Sequence, residues 1–370
     1  MPRQPRAKKT EVNSLQDARG GARIIAERAG VSVMTVSRAL NGAEGVSEAT
    51  KNLVLRIAEE IGYQPNSAAQ ALRRGTSDVI AMLLDSSMAM RGEYHSDTLA
   101  GFEQVISAEG YNLLLMVPRT NEGIRGLVNR LVASTKCQAV VLRFDSLSDE
   151  DLESLRTLTA PVVIASGMPS RLREKDVRYS SAFFDNRQGI ARAVRHLVAL
   201  GHTRIAYLGG TPGWLDSEER EAGFREEMRR NRLEVKESWV RACDFAHGPE
   251  SGSEALDSVL SAELPGPTAV VCAADQIAAG ALACARRWEL AVPSQLSITG
   301  YDGDTWGVFS SPPLTTVRQD GLLYGQTLGR LILEEIAHPD SPGRHVMLDT
   351  PLIVRQSTAP PRDTGKGGRR

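Results

Sequence analysis

Small and apolar residues set the pattern of the first sixty positions. Ala26 is small enough for a close helix crossing, Gly30 four residues on permits a left-handed turn, and Val36 six further on fills the gap between two helices. Ser32 is placed to cap the second of these helices. A third helix is predicted from Ser47, a capping serine, through Leu53, Ile57 and Ile61 at four-residue steps to a stop at Gly62. The next stretch, Tyr63 to Gly75, has a proline before a short alanine-rich run ending in Leu72, Arg73 and Arg74, with few residues able to bury it in a core.

Beyond it the period changes. Short apolar runs alternate with helical stretches: Val79 to Leu84, a helix from Thr98 to Glu109 stopped by Gly110, then Tyr111 to Val117. The alternation recurs through Ala139–Leu142, Pro161–Ala165, a helix Gln188–Leu200, Ile205–Leu208, Ala269–Cys272 and Ile298–Tyr301. This is a parallel α/β pattern with enough strands for two doubly wound lobes.

At 370 residues the chain is too long for one core. Charge is divided unevenly: residues 1–76 hold 12 Lys/Arg against 7 Asp/Glu, whereas the whole chain carries a formal net charge of −1. The basic end is therefore where DNA is expected. On the outer face of the second helix, Arg38 suits guanine O6 and N7, Thr35 and Ser37 suit phosphates, and Val33 and Met34 suit thymine methyls. The competing reading is an ordinary helical hairpin inside a larger core.

The four cysteines, Cys137, Cys243, Cys272 and Cys284, form no C-x-x-C pair, so buried thiols are expected rather than a zinc site or a disulfide framework. No cofactor or metal is expected. An apolar run of signal-peptide or membrane-span type is not seen, which makes the cytoplasm, in association with the nucleoid, the expected location.

The order of motifs resembles the lactose-repressor (LacI/GalR) family of bacterial transcription regulators. VSxxTVSRxLN stands at Val31 to Asn41, GYxPN at Gly62 to Asn66 and AxxLR at Ala69 to Arg73. Further on, HLVALGHTRIAYLGG (His196 to Gly210), ADQIAAGAL (Ala274 to Leu282), GYDG (Gly300 to Gly303) and PPLTTVRQD (Pro312 to Asp320) are similar to the family as well. The resemblance implies an all-α helix-turn-helix headpiece and a hinge helix joined to an α/β, two-lobed effector domain like the type I periplasmic sugar-binding proteins. Asn41, Leu72 and Arg73 join the DNA-contacting set, with Leu72 wedged into the minor groove.

The expected division is a flexible basic arm over 1–20, a helix-turn-helix domain over 21–64, a hinge helix over 65–76, an effector and dimerisation domain over 77–358, and a flexible tail over 359–370. Three crossovers between lobes are expected near Asp185, Thr316 and Met347.

The resemblance also carries an effector site. Arg220, in SEEREAGF, matches a cleft arginine suited to a carboxylate or to sugar hydroxyls, and Asp302 matches a carboxylate at a strand end. Each has a structural alternative, a surface helix arginine and a turn carboxylate. Asp275 joins the set, although its better reading is a cap on a helix beginning at Gln276.

Two positions depart from the family. Ser166 stands where some sugar binders have aspartate, and Ala274 where many have asparagine. Tyr94 and His95 replace two phenylalanines in the first lobe's loop and are expected to stack on a ligand face; Trp214 and Trp306 are further aromatic candidates.

These features lead to a homodimeric repressor on a pseudo-palindromic operator, controlled by a sugar or related metabolite that releases DNA. Arg220→Ala is expected to abolish the ligand response while sparing DNA affinity. The rival readings are an α/β enzyme, for which G-x-S-x-G, a P-loop and a helix-opening G-x-G-x-x-G are missing, a solute-binding receptor, which calls for an export signal, and an effector-free DNA-bending protein.

Overall fold

The computed structural model describes residues 18–40, 45–63, 77–84, 93–119, 124–134, 137–144, 160–165, 179–262 and 264–362. The chain divides into two compact units, Met1–Asp78 and Val79–Arg370. Asn41, Leu72, Arg73, Ser166 and the hinge segment lie outside the described residues.

In the first unit, helix α1 (Ala18–Ala29) begins three residues inside the stretch read as an arm. It ends at Gly30, whose φ of +66° is the left-handed turn that glycine permits, and the Val31 amide donates back to Ala26 O at 3.0 Å. Helix α2 (Val33–Leu40) follows, with Ser32 Oγ accepting from the Thr35 amide at 3.1 Å. Helix α3 (Glu48–Glu60) repeats the device, Ser47 Oγ accepting from the Thr50 amide at 3.2 Å.

Ile25, Ala26, Val36, Ala39, Val54, Ile57 and Ala58 form the core. Leu53 and Ile61, expected inside with Ile57, are half-buried at its rim. A strict four-residue step drifts about 40° per step around a 3.6-residue helix, so Val54 and Ala58 take the centre instead.

In the second unit, the first sheet has the order β11-β5-β4-β3-β1-β2, all parallel. Its strands are β1 (Val79–Leu84), β2 (Asn112–Met116), β3 (Ala139–Arg143), β4 (Val162–Ile164), β5 (Ser180–Phe184) and β11 (His345–Leu348). The second sheet has the order β12-β10-β9-β8-β6-β7, from β6 (Ile205–Leu208), β7 (Val240–Arg241), β8 (Ala269–Cys272), β9 (Ser297–Asp302), β10 (Thr315–Arg318) and β12 (Leu352–Ile353), which alone runs antiparallel. Strands β1 and β8, and β3 as far as Leu142, are apolar along their length because helices, among them α5 (Ile124–Ser134) and α8 (Gly248–Ala262), cover both faces.

The chain changes sheets three times. After β5 it enters helix α6 (Asn186–Ala199) through Asp185, as expected. After β10 it turns at Gln319–Asp320 into helix α11 (Gly321–Ala337), and after β11 it passes over Asp349–Pro351. The other two crossings, expected near Thr316 and Met347, fall a few residues beyond those positions, which are themselves inside strands.

Helix α11 packs on helix α4 (Glu93–Ala108) so closely that a Cβ on Gly325 would lie 2.0 Å from Thr98 O, and one on Gly101 would lie 2.2 Å from Leu322 O. That contact sets Tyr94 at the strand ends of the first sheet. Beyond the expected boundary at residue 358, Ala359 O accepts from Ser297 Oγ at 3.1 Å and lies 2.8 Å from His202 Nε2, so the start of the tail is anchored to the second lobe.

Candidate effector cleft and DNA-reading face

Val33 and Met34 are 49% and 68% exposed, large values for apolar side chains, and Arg38 is exposed without an ion pair among the described residues. Thr35 and Ser37 are half-buried, and the Thr35 hydroxyl is 2.9 Å from Ser32 Oγ within the helix cap. One side of a short helix thus carries a cation, hydroxyls and two bare apolar groups, while Val36 and Ala39 on the other side anchor it.

In the second unit, the ligand-facing edge of an open parallel sheet is where its strands end. On the second lobe that edge centres on Arg220, in helix α7 (Leu215–Arg230) and only 5% exposed. Its Nε donates to Asn186 Oδ1 at 2.9 Å, one terminal nitrogen to Ala273 O at 2.7 Å and the other to Gln319 Oε1 at 3.4 Å. Asp216 and Asp302 lie 3.9 and 4.0 Å away, and the guanidinium sits 4.0 Å from the Tyr301 ring centroid. Asn186 also accepts from the Tyr301 hydroxyl at 2.9 Å and donates to Asp216 at 3.0 Å. The surface-arginine alternative is therefore excluded: Arg220 joins the residue after the first crossover to the residue at the second.

Asp275 corrects the capping reading. Helix α9 (Asp275–Arg287) starts at Asp275 itself, with Ala274 as an N-cap that offers no side-chain bond. The Asp275 carboxylate turns away from its helix and accepts from Thr316 Oγ1 at 2.6 Å and from the amides of Gly303 at 3.0 Å and Asp304 at 2.8 Å. Burial raises its pKa to about 7 against the pull of these donors.

A Cβ on Gly300 would lie 2.1 Å from Asp275 Oδ1, so glycine in GYDG makes room for that carboxylate. The staple holds Asp302 at φ +121°, a strained backbone for a non-glycine residue, with its carboxylate turned toward Arg220. Burial, opposed by Arg220 and reinforced by Asp275 and Asp304, keeps the Asp302 carboxyl well above the usual range.

The aromatic candidates separate. Tyr94 does not present an open stacking face. Its ring lies among Phe184, Tyr324 and His95, and the Arg143 guanidinium sits 5.0 Å from its centroid. Burial, opposed chiefly by Arg143, pushes its phenol up to about 12. His95 is half-buried with Nδ1 unbonded, and burial and Arg143 together lower its pKa to about 3, so the ring is neutral. Trp214 tilts against Phe245 at 5.5 Å, whereas Trp306 packs on the second lobe's core.

Sequence reasoning missed Arg143, Asn186, Phe245 and Gln319. Only Arg143 left a readable signal, as a lone cation closing the apolar run Ala139–Leu142.

No group of three or more metal-ligating side chains occurs among the described residues, and none of their helices is long and apolar enough to cross a membrane. All four cysteines are free; Cys243, Cys272 and Cys284 are buried and Cys137 is half-buried.

Residues 24–66 match the model for bacterial regulatory proteins of the lacI family, and residues 194–358 match that of a periplasmic binding protein-like domain. The chain is 30% identical to the transcriptional regulator CelR of Thermobifida fusca over 338 residues, covering 90% of this chain and 97% of that one. It is 29% identical to the transcriptional repressor PurR of Mannheimia succiniciproducens with the same coverage. Among solved structures, the Lac repressor dimer bound to operator and the anti-inducer ONPF superposes with a TM-score of 0.79 at 28% identity, covering 90% of this chain and 98% of that one. A CelR–cellobiose complex gives 0.67 at 29%, covering 91% and 99%.

Proposed function

The chain belongs to the lacI family of bacterial regulatory proteins, DNA-binding transcription regulators with an effector-binding domain and not enzymes, and from that premise we propose how it works. It acts as a homodimeric repressor, each headpiece reading one half of a pseudo-palindromic operator through Arg38, Val33, Met34, Thr35, Ser37 and Asn41. The hinge helices over 65–76 pair at the centre, with Leu72 and Arg73 in the minor groove. A small metabolite, of the sugar class by analogy with the CelR–cellobiose complex, sits between the lobes and shifts operator affinity by a coupling of about 1–3 kcal/mol. It contacts the Arg220–Asp302 side through its hydroxyls and releases DNA.

The observation that carries this reading is the Arg220 node. It joins Asn186 and Gln319 at two of the three lobe crossovers, so a ligand bound there reaches the segments about which the lobes would move. One contact already links the lobes, the Thr305 amide donating to Glu93 at 2.7 Å.

The deciding experiment is operator binding by fluorescence anisotropy against a random duplex, with and without metabolites that raise the melting temperature. Arg38→Ala should lose about 1–3 kcal/mol at the operator while keeping most affinity for random DNA; equal losses on both would remove Arg38 from base reading.

Dimerisation is supported by the dimeric relative and by Phe309, 82% exposed at the end of the short helix α10 (Trp306–Phe309) beside the exposed Val308. Phe309→Asp should shift sedimentation toward monomer at micromolar concentration, and an unchanged dimer would place the interface elsewhere.

A further inference from the structure

The two sides of the cleft differ in charge. On the second lobe Asp216 and Asp302 flank the Arg220 guanidinium, Asp275 and Asp304 lie close to Asp302, and the nitrogens of Arg220 are already engaged by Asn186, Ala273 and Gln319. Among its described residues the first lobe presents the opposite. Arg143 ends β3 and is 3% exposed, yet none of the described carboxylates comes within ion-pair distance of it.

Alternation along β3 fixes its direction. Ala139 and Val141 face the core under α4 and α11, Val140 and Leu142 face the other core, and Arg143 returns to the first side at the strand's exit, over Tyr94. Beside it lies the unbonded, neutral Nδ1 of His95.

A buried guanidinium with an aromatic floor and no counter-ion among the described residues is costly to keep in a folded domain, whereas pairing and added hydrogen bonds repay the burial. The aspartate-rich side suits hydroxyl donors. Resting on the effector-cleft reading above, we propose that the effector is an acidic metabolite, a polyhydroxylated body bearing a carboxylate or a phosphate, and that Arg143 is the counter-ion for that anionic group. Arg220, Asp302 and Asp216 then order the hydroxyls, and His95 Nδ1 lies beside the anion.

The test uses the full-length protein and matched probes: aldonates and uronates, sugar phosphates, and the neutral parent sugar of each. Melting temperature and operator release are read for wild type, Arg143→Gln and Arg143→Lys. Acids, but not their neutral parents, are expected to raise the melting temperature; whether the aldonates and uronates or the phosphates respond distinguishes the two anions. Arg143→Gln should weaken acid binding by about 30-fold or more, and Arg143→Lys should recover part of it.

Without ligand, Arg143→Gln should melt no lower than wild type, because it removes a buried charge that none of the described carboxylates pairs; a merely structural arginine would leave a less stable domain. Neutral sugars binding wild type as tightly as their acids would overturn this inference and leave metabolite control standing. No response to any acid or neutral sugar would instead defeat the effector reading, and the assignment to Arg143 with it.

Discussion

Val36→Asp is expected to abolish selective operator binding while leaving the effector domain's melting transition and ligand-induced shift unchanged. Val36 is fully buried, and its neighbours Ile25, Ala26, Ala39, Val54, Ile57 and Ala58 provide no cation or hydrogen-bond donor from their side chains. An uncompensated buried carboxylate costs several kcal/mol. Three short helices around seven buried residues have at most a few kcal/mol to lose, so the headpiece should unfold as a unit. Specific sites are typically bound about 10³-fold or more tightly than random DNA, and that margin should vanish. The check pairs anisotropy on operator and random duplexes with calorimetry of the whole protein. Specific affinity surviving within about tenfold would show that α2 does not depend on this core for its reading geometry.

Arg220→Ala is expected to cost the effector domain about 3–5 kcal/mol and to remove the metabolite response. The substitution deprives Asn186 Oδ1 and Ala273 O of a donor and leaves Asp302 and Asp216 without their cation. In a domain of this size the melting temperature should fall by roughly 10 °C. This adds to the expectation from sequence, in which Arg220 was a ligand contact whose loss would leave DNA affinity nearly intact. Arg220→Lys separates the two roles. It restores charge near Asp302 but not the planar fork, so stability should recover in part while the response stays weak. If Arg220→Ala melts with wild type, the network around it contributes no net stability; if the ligand still releases DNA, the crossovers are not linked through Arg220.

The headpiece and strands β1–β4, β6, β8 and β9 were legible along the chain because their causes are local. Gly30 is needed for its backbone angle, Ser32 and Ser47 cap helices three residues away, and the runs at Val79–Leu84 and Ala139–Leu142 are apolar throughout because each strand is covered on two faces. Arg220 and Asp302 were legible as candidates through motif resemblance, and they do lie 4.0 Å apart.

What the sequence determined was thus the identity of the locally coded elements and the residue types offered to DNA and ligand. Tertiary structure alone decided which groups are already spoken for. Asp275, read as a cap for its own helix, is held by Thr316 and the 303–304 backbone, 41 and 28–29 residues away. Tyr94, read as a stacking face, is floored by Phe184 and Tyr324 and covered by Arg143. Arg143 itself is an ordinary end to a strand until the fold buries it with no counter-ion among the described residues. Helix caps and strand burial follow from neighbours within a few residues, but charge pairing follows from distance in space, and only the packed lobes set that.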